Sequence, residues 1–319
     1  MEMFQSLKPV SKSIFKDLLA RIHPGVNCNT GDGNMGFVVD VAGEFHIFVQ
    51  LVLAASGLIS LCLKSLKLVN FLLETIADGL PVDHPRSGGQ LMELFDAMKL
   101  VTKPIFKKIL LETKPPVNCI IGDGILGFVG NVAIEVGVPI IYFRTVSACS
   151  FWAYFSIFDI IEGGQLPIRG GVPNLVFVET AGDEDMDRLI TKVPGMETFL
   201  RCRDLPSFCR VSDMTHPNLL LVMDETRQSP RAKALILNTF EDLEGPILSQ
   251  IRTQCPEIYS IGPLHEHLQA KLSAKNEKPS ATRMAELSRK SVREGGSSYC
   301  NLNRLIEDIR SMSVRVHDI

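Results

Sequence analysis

The sequence predicts an α/β protein built on a parallel sheet. Three observations point there. Short apolar runs of strand length alternate with segments of helical period, the pattern of successive βαβ units. A helix–strand–turn–helix segment occurs twice, at residues 3–42 and 94–133, aligned without a gap and identical at about half its positions. Apolar side chains make up 45% of the 319 residues, enough for a sizeable core.

Taken in order, the elements are these. In the second copy, Leu94, Met98, Val101, Ile105 and Ile109 share one helical face. Val117–Ile121 is a short apolar run suited to a buried parallel strand, and Gly122-Asp123-Gly124 is the turn after it. Leu126 to Val136 return to helical character until Gly137 stops them, and Val138–Phe143 forms a second strand. Ala234–Leu237 is a third strand, after which Thr239 and Asp242 offer a capping box for the next helix. Ile258–Ile261 is a fourth, ended by Gly262-Pro263. A last helix places Leu302, Leu305, Ile306 and Ile309 on one side and needs a surface to dock on. The domain plan that follows has residues 1–48 as a partial duplicate of 94–139 and 49–71 as an apolar segment. Residues 72–264 form the α/β domain, 265–284 a polar linker and 285–319 a C-terminal helix.

Charge and cysteine usage exclude several functions. Thirty-three basic side chains against 36 acidic give a net charge of −3, so no surplus of cations exists to neutralise nucleic-acid phosphates. The eight cysteines form no Cys-x-x-Cys pair, which removes zinc and thioredoxin-type readings, and no metal is expected. Most lie in apolar runs and read as buried free thiols of a reducing compartment. The N-terminus has no apolar signal-peptide core, so a cytoplasmic location is the expectation. Phe45–Leu63 carries no formal charge and reaches the length of a membrane helix. His46, Gln50, Ser56 and Ser60 interrupt it, and a helix buried in a soluble core is the preferred reading over membrane attachment.

Several strings, in order, resemble the plant secondary-product UDP-glycosyltransferases. They are TIADGLP at 75–81, PVNCIIGDGILGF at 116–128, FRTVSACSFWAYF at 143–155, RDLPSF at 203–208, LILNTFEDLE at 235–244 and YSIGPL at 259–264. The iridoid glucosyltransferase branch is the nearest in character. The likeness covers roughly residues 72–265, and EGGSSYCNLNRLIEDI at 294–309 resembles the family's extreme C-terminus. The resemblance implies a GT-B architecture of two facing Rossmann-like domains. The N-terminal one takes a small hydrophobic acceptor, and the C-terminal one takes a UDP-sugar donor that is not held as a tight cofactor. It also implies inverting glycosyl transfer, in which a histidine takes the acceptor's proton and an aspartate orients that histidine.

Residue by residue, Asp123 matches the orienting aspartate, at the carboxyl end of a strand where open α/β sheets place function. Its other reading is a turn-former between glycines. Thr145 matches a position that contacts the donor sugar, and could equally be a hydroxyl capping the next helix. Phe151, Trp152 and Phe155 resemble the wall of the acceptor pocket, with core packing as the alternative. Three departures lead us to expect an inactive chain with an incomplete sheet and almost no donor domain. The opening Gln-Gly-His turn is absent, and His23 and His46 align instead with Lys114 and Gly137. The Trp-Ala-Pro-Gln and His-Cys-Gly-Trp-Asn strings of the donor site are absent; the single tryptophan is Trp152. The stretch 265–284 runs almost directly from linker to terminal helix. Gly31-Asp32-Gly33 and Gly122-Asp123-Gly124 are poor phosphate cradles, since each sets a carboxylate where phosphate would sit. The alternative function is a non-catalytic small-molecule-binding or interaction protein derived from the acceptor domain.

Overall fold

The computed structural model describes residues 76–167, 186–267 and 283–314, apart from 82, 85–90, 114–115, 118, 210–212 and 265. The duplicated copy at 1–48 and the apolar run Phe45–Leu63 lie outside the described residues. Among those described, no helix is long and apolar enough to cross a membrane. The chain divides into two compact units, 1–113 and 114–319.

In the first unit, α1 (Leu91–Ala97) passes through a π-helical turn (Met98–Thr102) into α2 (Lys103–Glu112). The wider turn has a cause in the sequence. Pro104 has no N–H to give to the carbonyl four residues back, and its ring crowds that carbonyl. The turn shifts the buried face from the one expected. Leu94, Met98, Thr102 and Phe106 point inward in steps of four, whereas Ile105 is 39% exposed and Val101 and Ile109 are half-buried. Thr102 is tolerated in the interior because its hydroxyl donates to the Ala77 carbonyl at 2.8 Å.

The second unit holds a four-stranded, wholly parallel sheet in the order β1-β2-β3-β4. Its strands are β1 (Ile120–Asp123), β2 (Ile140–Arg144), β3 (Ala234–Leu237) and β4 (Ile258–Ser260). The third strand falls where the sequence put it. The first lies further along the chain than expected: Gly122 and Asp123 are paired with Tyr142 and Phe143, and the turn begins at Gly124. Gly122 is a strand residue because α3 (Gly127–Val136) packs close over it; a Cβ there would stand 3.1 Å from Val129. β2 and β3 are buried along their whole length, as expected of parallel strands covered on both faces. Gly137 ends α3 in the left-handed conformation at φ 71°, with its N–H turned back to the carbonyls of Ala133 and Ile134.

The remaining helices are α4 (Ala148–Phe155), α5 (Ile157–Glu162), α6 (Pro217–Arg227), α7 (Glu241–Ile251), α8 (Arg283–Val292) and α9 (Ser297–Val314). α4 packs against both α6 and α7. The expected Thr239–Asp242 box does not form. α7 starts from Phe240 with no side-chain cap, and the chain kinks at Glu244 (φ −126°, ψ 20°), just before Gly245-Pro246. α9 docks along β4, the strand at the sheet's end. Asn301 Nδ2 donates to the Ser260 carbonyl at 3.2 Å, and Arg304 Nη2 to the Ile258 carbonyl at 2.7 Å. These two carbonyls face away from β3, whose bonds to this strand run through Glu257 and Ile261. The helix therefore supplies side-chain donors to a strand edge that has no strand partner among the described residues. Tyr259 joins the same contact through a 2.6 Å bond to Asp308.

Candidate functional site

The carboxyl ends of β1 and β2 carry Asp123 and Arg144. Asp123 Oδ1 accepts from the Ile125 amide at 3.0 Å, an Asx turn that directs the chain into α3. Arg144 is the residue that sequence reasoning missed. It is 4% exposed at the end of an otherwise apolar strand. One guanidinium nitrogen donates to the Gly124 carbonyl, and the other donates to Thr226 Oγ1 at 3.0 Å. The guanidinium carbon stands 5.2 Å from the centroid of the Phe151 ring. Gly124 must be glycine for this side chain to pass, since a Cβ there would lie 2.3 Å from Arg144 Cδ. Burial lowers the pKa of Arg144, and the negative charge of Asp123 opposes that effect ahead of Tyr154, Glu225 and Tyr142. A buried cation is tolerated only with such compensation. The one hint in the sequence was a charge closing the run Ile140–Phe143.

The start of α4 is capped twice. Ser147, not Thr145, is the N-cap, its Oγ accepting from the Ser150 amide at 3.1 Å. Glu244 reaches in from α7 and accepts from the Ala148 amide at 3.0 Å and the Cys149 amide at 2.8 Å. A carboxylate at a helix N-terminus is stabilised by the helix dipole as well as by the bonds. Burial pushes the Glu244 carboxyl up, but the hydrogen bonds it accepts outweigh burial and hold its pKa below the ordinary value. The Cys149 thiol beside it is pushed up to about 12, by burial first and then by Glu244. Thr145 itself is exposed, directly after β2.

α4 separates the three aromatics that the sequence grouped. Phe151 is fully buried beneath Arg144. Trp152 and Phe155 stack at 5.4 Å and line a cleft of about 350 Å³ with Arg227 and Gln250. A different face of the helix, carrying Ser150, Ala153 and Tyr154, lines a cleft of about 400 Å³. Its opposite wall is Met196, Phe199 and Leu200, with Asp204 and Pro206 at the end. That wall is a folded-back segment in which Ile190 N–H donates to the Leu200 carbonyl at 2.8 Å and Cys202 N–H to that of Arg188 at 3.0 Å. Trp152 Nε1 ties it to the helix through the Pro194 carbonyl at 2.9 Å. Asp123 and Thr145 line neither cleft. Sequence reasoning did not find Ser150, Tyr154 or Phe199, because the cleft joins two segments some 50 residues apart in the chain.

The chain is similar to plant glucosyltransferases. It is 51% identical over 213 residues to a 7-deoxyloganetic acid glucosyltransferase of Catharanthus roseus, a match covering 65% of this chain and 42% of that protein. It is 38% identical over 206 residues to UDP-glycosyltransferase 85A3 of Arabidopsis thaliana, covering 62% and 40% respectively. Among solved structures, Os79 of O. sativa in complex with UDP overlaps 68% of this chain and 46% of its own, at 14% identity and a TM-score of 0.43. No protein-family model matches. The chain thus spans about two fifths of the length of the curated relatives it matches.

Proposed function

We propose that this chain, a homologue of the plant UDP-glycosyltransferases over 65% of its length, is an acceptor-binding unit of that family that does not itself transfer sugar. The observation that carries the reading is the 51% identity to a glucosyltransferase whose named acceptor is a small plant metabolite. The cleft between α4 and the 190–206 segment suits such a molecule. Its volume of about 400 Å³ lies in the range of small-ligand sites, and apolar side chains with a few polar groups form its walls. The family's chemistry is transfer of glucose from UDP-glucose to a hydroxyl or carboxyl of the acceptor.

Transfer needs a base beside the acceptor and a site that fixes the donor. The 319 residues hold no Gln-Gly-His turn and no donor signature. A positioned base contributes roughly a hundredfold to ten-thousandfold. Orientation of the two reactants can account for about 7–11 kcal/mol of the barrier. Either loss hides turnover in an ordinary assay. Asp123 then serves the turn and the buried Arg144 in place of a histidine.

Titration calorimetry with small terpenoid and phenolic alcohols, beside a product assay with UDP-glucose, tests both parts. We expect binding that Ala153→Trp abolishes by filling the cleft, and no glucoside. Failure to bind up to millimolar ligand removes the acceptor reading, and glucoside formation removes the claim of inactivity.

A further inference from the structure

We infer that the cleft beside α4 selects uncharged hydroxylated apolar molecules and rejects carboxylates, although the relative from Catharanthus roseus is named for an acid. The inference rests on the acceptor-cleft reading above and specifies its ligand. Apart from Cys149, Tyr154 and Asp204, no titratable residue among those described lines the cleft. Burial keeps the two former groups protonated at neutral pH, so the lining carries one charge, and it is negative.

The described cations nearest along the chain are committed elsewhere. Arg203 Nη2 lies 2.6 Å from Asp187 Oδ2, and Arg201 Nη1 lies 2.9 Å from the Asp187 carbonyl and 3.5 Å from its carboxylate. Arg144 spends its donors on Gly124 and Thr226 under a fully buried ring. Behind Cys149 sits a second carboxylate, that of Glu244, bonded to the Cys149 amide. Among the described residues, a carboxylate entering the cleft would lose its hydration, meet no cation and face Asp204.

A hydroxyl meets the opposite situation. Ser150 Oγ already accepts from Ser147 Oγ at 3.1 Å, which leaves its own proton to donate inward. Asp204 uses one carboxylate oxygen on the Arg201 amide at 2.8 Å and keeps acceptor capacity for a ligand O–H. One donor and one acceptor on an apolar cleft match an alcohol, which both gives and takes a hydrogen bond.

The test is calorimetry at pH 7.5 with a pair that differs only at the polar end, perillyl alcohol and perillic acid. The alcohol should bind at least about tenfold more tightly. Asp204→Asn should bring the acid to within about threefold of the alcohol. Phe199→Lys, a change at a 51% exposed rim position, should tighten the acid alone. Equal or tighter binding of the acid to the unaltered chain overturns the inference while leaving the acceptor cleft standing. So does a preference that neither substitution moves. If neither compound binds, or if Ala153→Trp leaves both affinities unchanged, the acceptor-cleft reading fails and this inference falls with it.

Discussion

Replacing Asp123 by alanine should destabilise the second unit measurably, because the side chain serves two neighbours at once. The first is the Ile125 amide, 3.0 Å from Oδ1 at the entry to α3. A hydrogen bond to a charged acceptor contributes about 1.5–3 kcal/mol. The second is Arg144, buried at 4% exposure and dependent on neighbouring carboxylates to stay charged. Breaking a fully buried ion pair costs about 3–5 kcal/mol. Here Asp123 is only half-buried and Glu225 remains as a second carboxylate near the guanidinium. Solvent screening and the remaining carboxylate cut the charge contribution to well below that of a fully buried pair, and the total loss is about 2 kcal/mol. For a unit of this size that corresponds to a fall in Tm of about 4–8 °C. Asp123→Asn separates the terms, since its amide oxygen can still accept from Ile125 while the charge is gone; it should lose roughly half as much. Differential scanning calorimetry of the three proteins is the assay. A Tm within about one degree of wild type for the alanine variant, or a larger loss for asparagine than for alanine, would refute the reasoning.

Other outcomes follow from neighbouring contacts. Gly124→Ala should cost about 1–3 kcal/mol by urea unfolding, since its Cβ would overlap Arg144 Cδ at 2.3 Å. Glu244→Gln should cost about 1 kcal/mol, because the cap on α4 loses its charge but keeps one oxygen acceptor. The folded pKa of Glu244 is depressed, so its contribution is fully present above the unfolded value of 4.5 and is lost as pH falls through the folded value. The difference in stability between wild type and Glu244→Gln should therefore shrink on acidification below 4.5, and a difference that grows there contradicts the assignment. Iodoacetamide at pH 8 should modify exposed Cys300 well before Cys149, whose thiol is raised to about 12, as peptide mass spectrometry can score.

What the sequence disclosed was whatever depends on near neighbours. Ala234–Leu237 is strand from end to end, and Gly137 stops its helix, because a run of buried β-formers and a left-handed glycine are each decided within a few residues. The helical face at 94–109 was misread because one proline, Pro104, widens a turn and carries every later residue round the axis. The expected cap at Thr239 failed because the helix starts one residue later, from Phe240, which moves Asp242 out of the box position. The site was the least legible part. Periodicity marks which residues of α4 share a face, but it does not say which face meets the core, the first cleft or the second. Phe151 went to the core, and Trp152 and Phe155 together to a cleft, for that reason. Arg144 stood in plain sight in the string FRTVSACSFWAYF and carried no period to betray it.

The contact of α9 with β4 closes that end of the sheet to growth. A parallel sheet is extended by a strand that takes up the free carbonyls and amides of the last one. At β4 the outward carbonyls of Ile258 and Ser260 are already held by Arg304 and Asn301. A fifth strand on that side would first have to displace a helix whose Ser298 is also bonded to the Gly262 carbonyl. Among the described residues, a segment that would enlarge this sheet therefore finds the β4 end taken by a helix, and the strand at the opposite end is β1, which closes on Asp123.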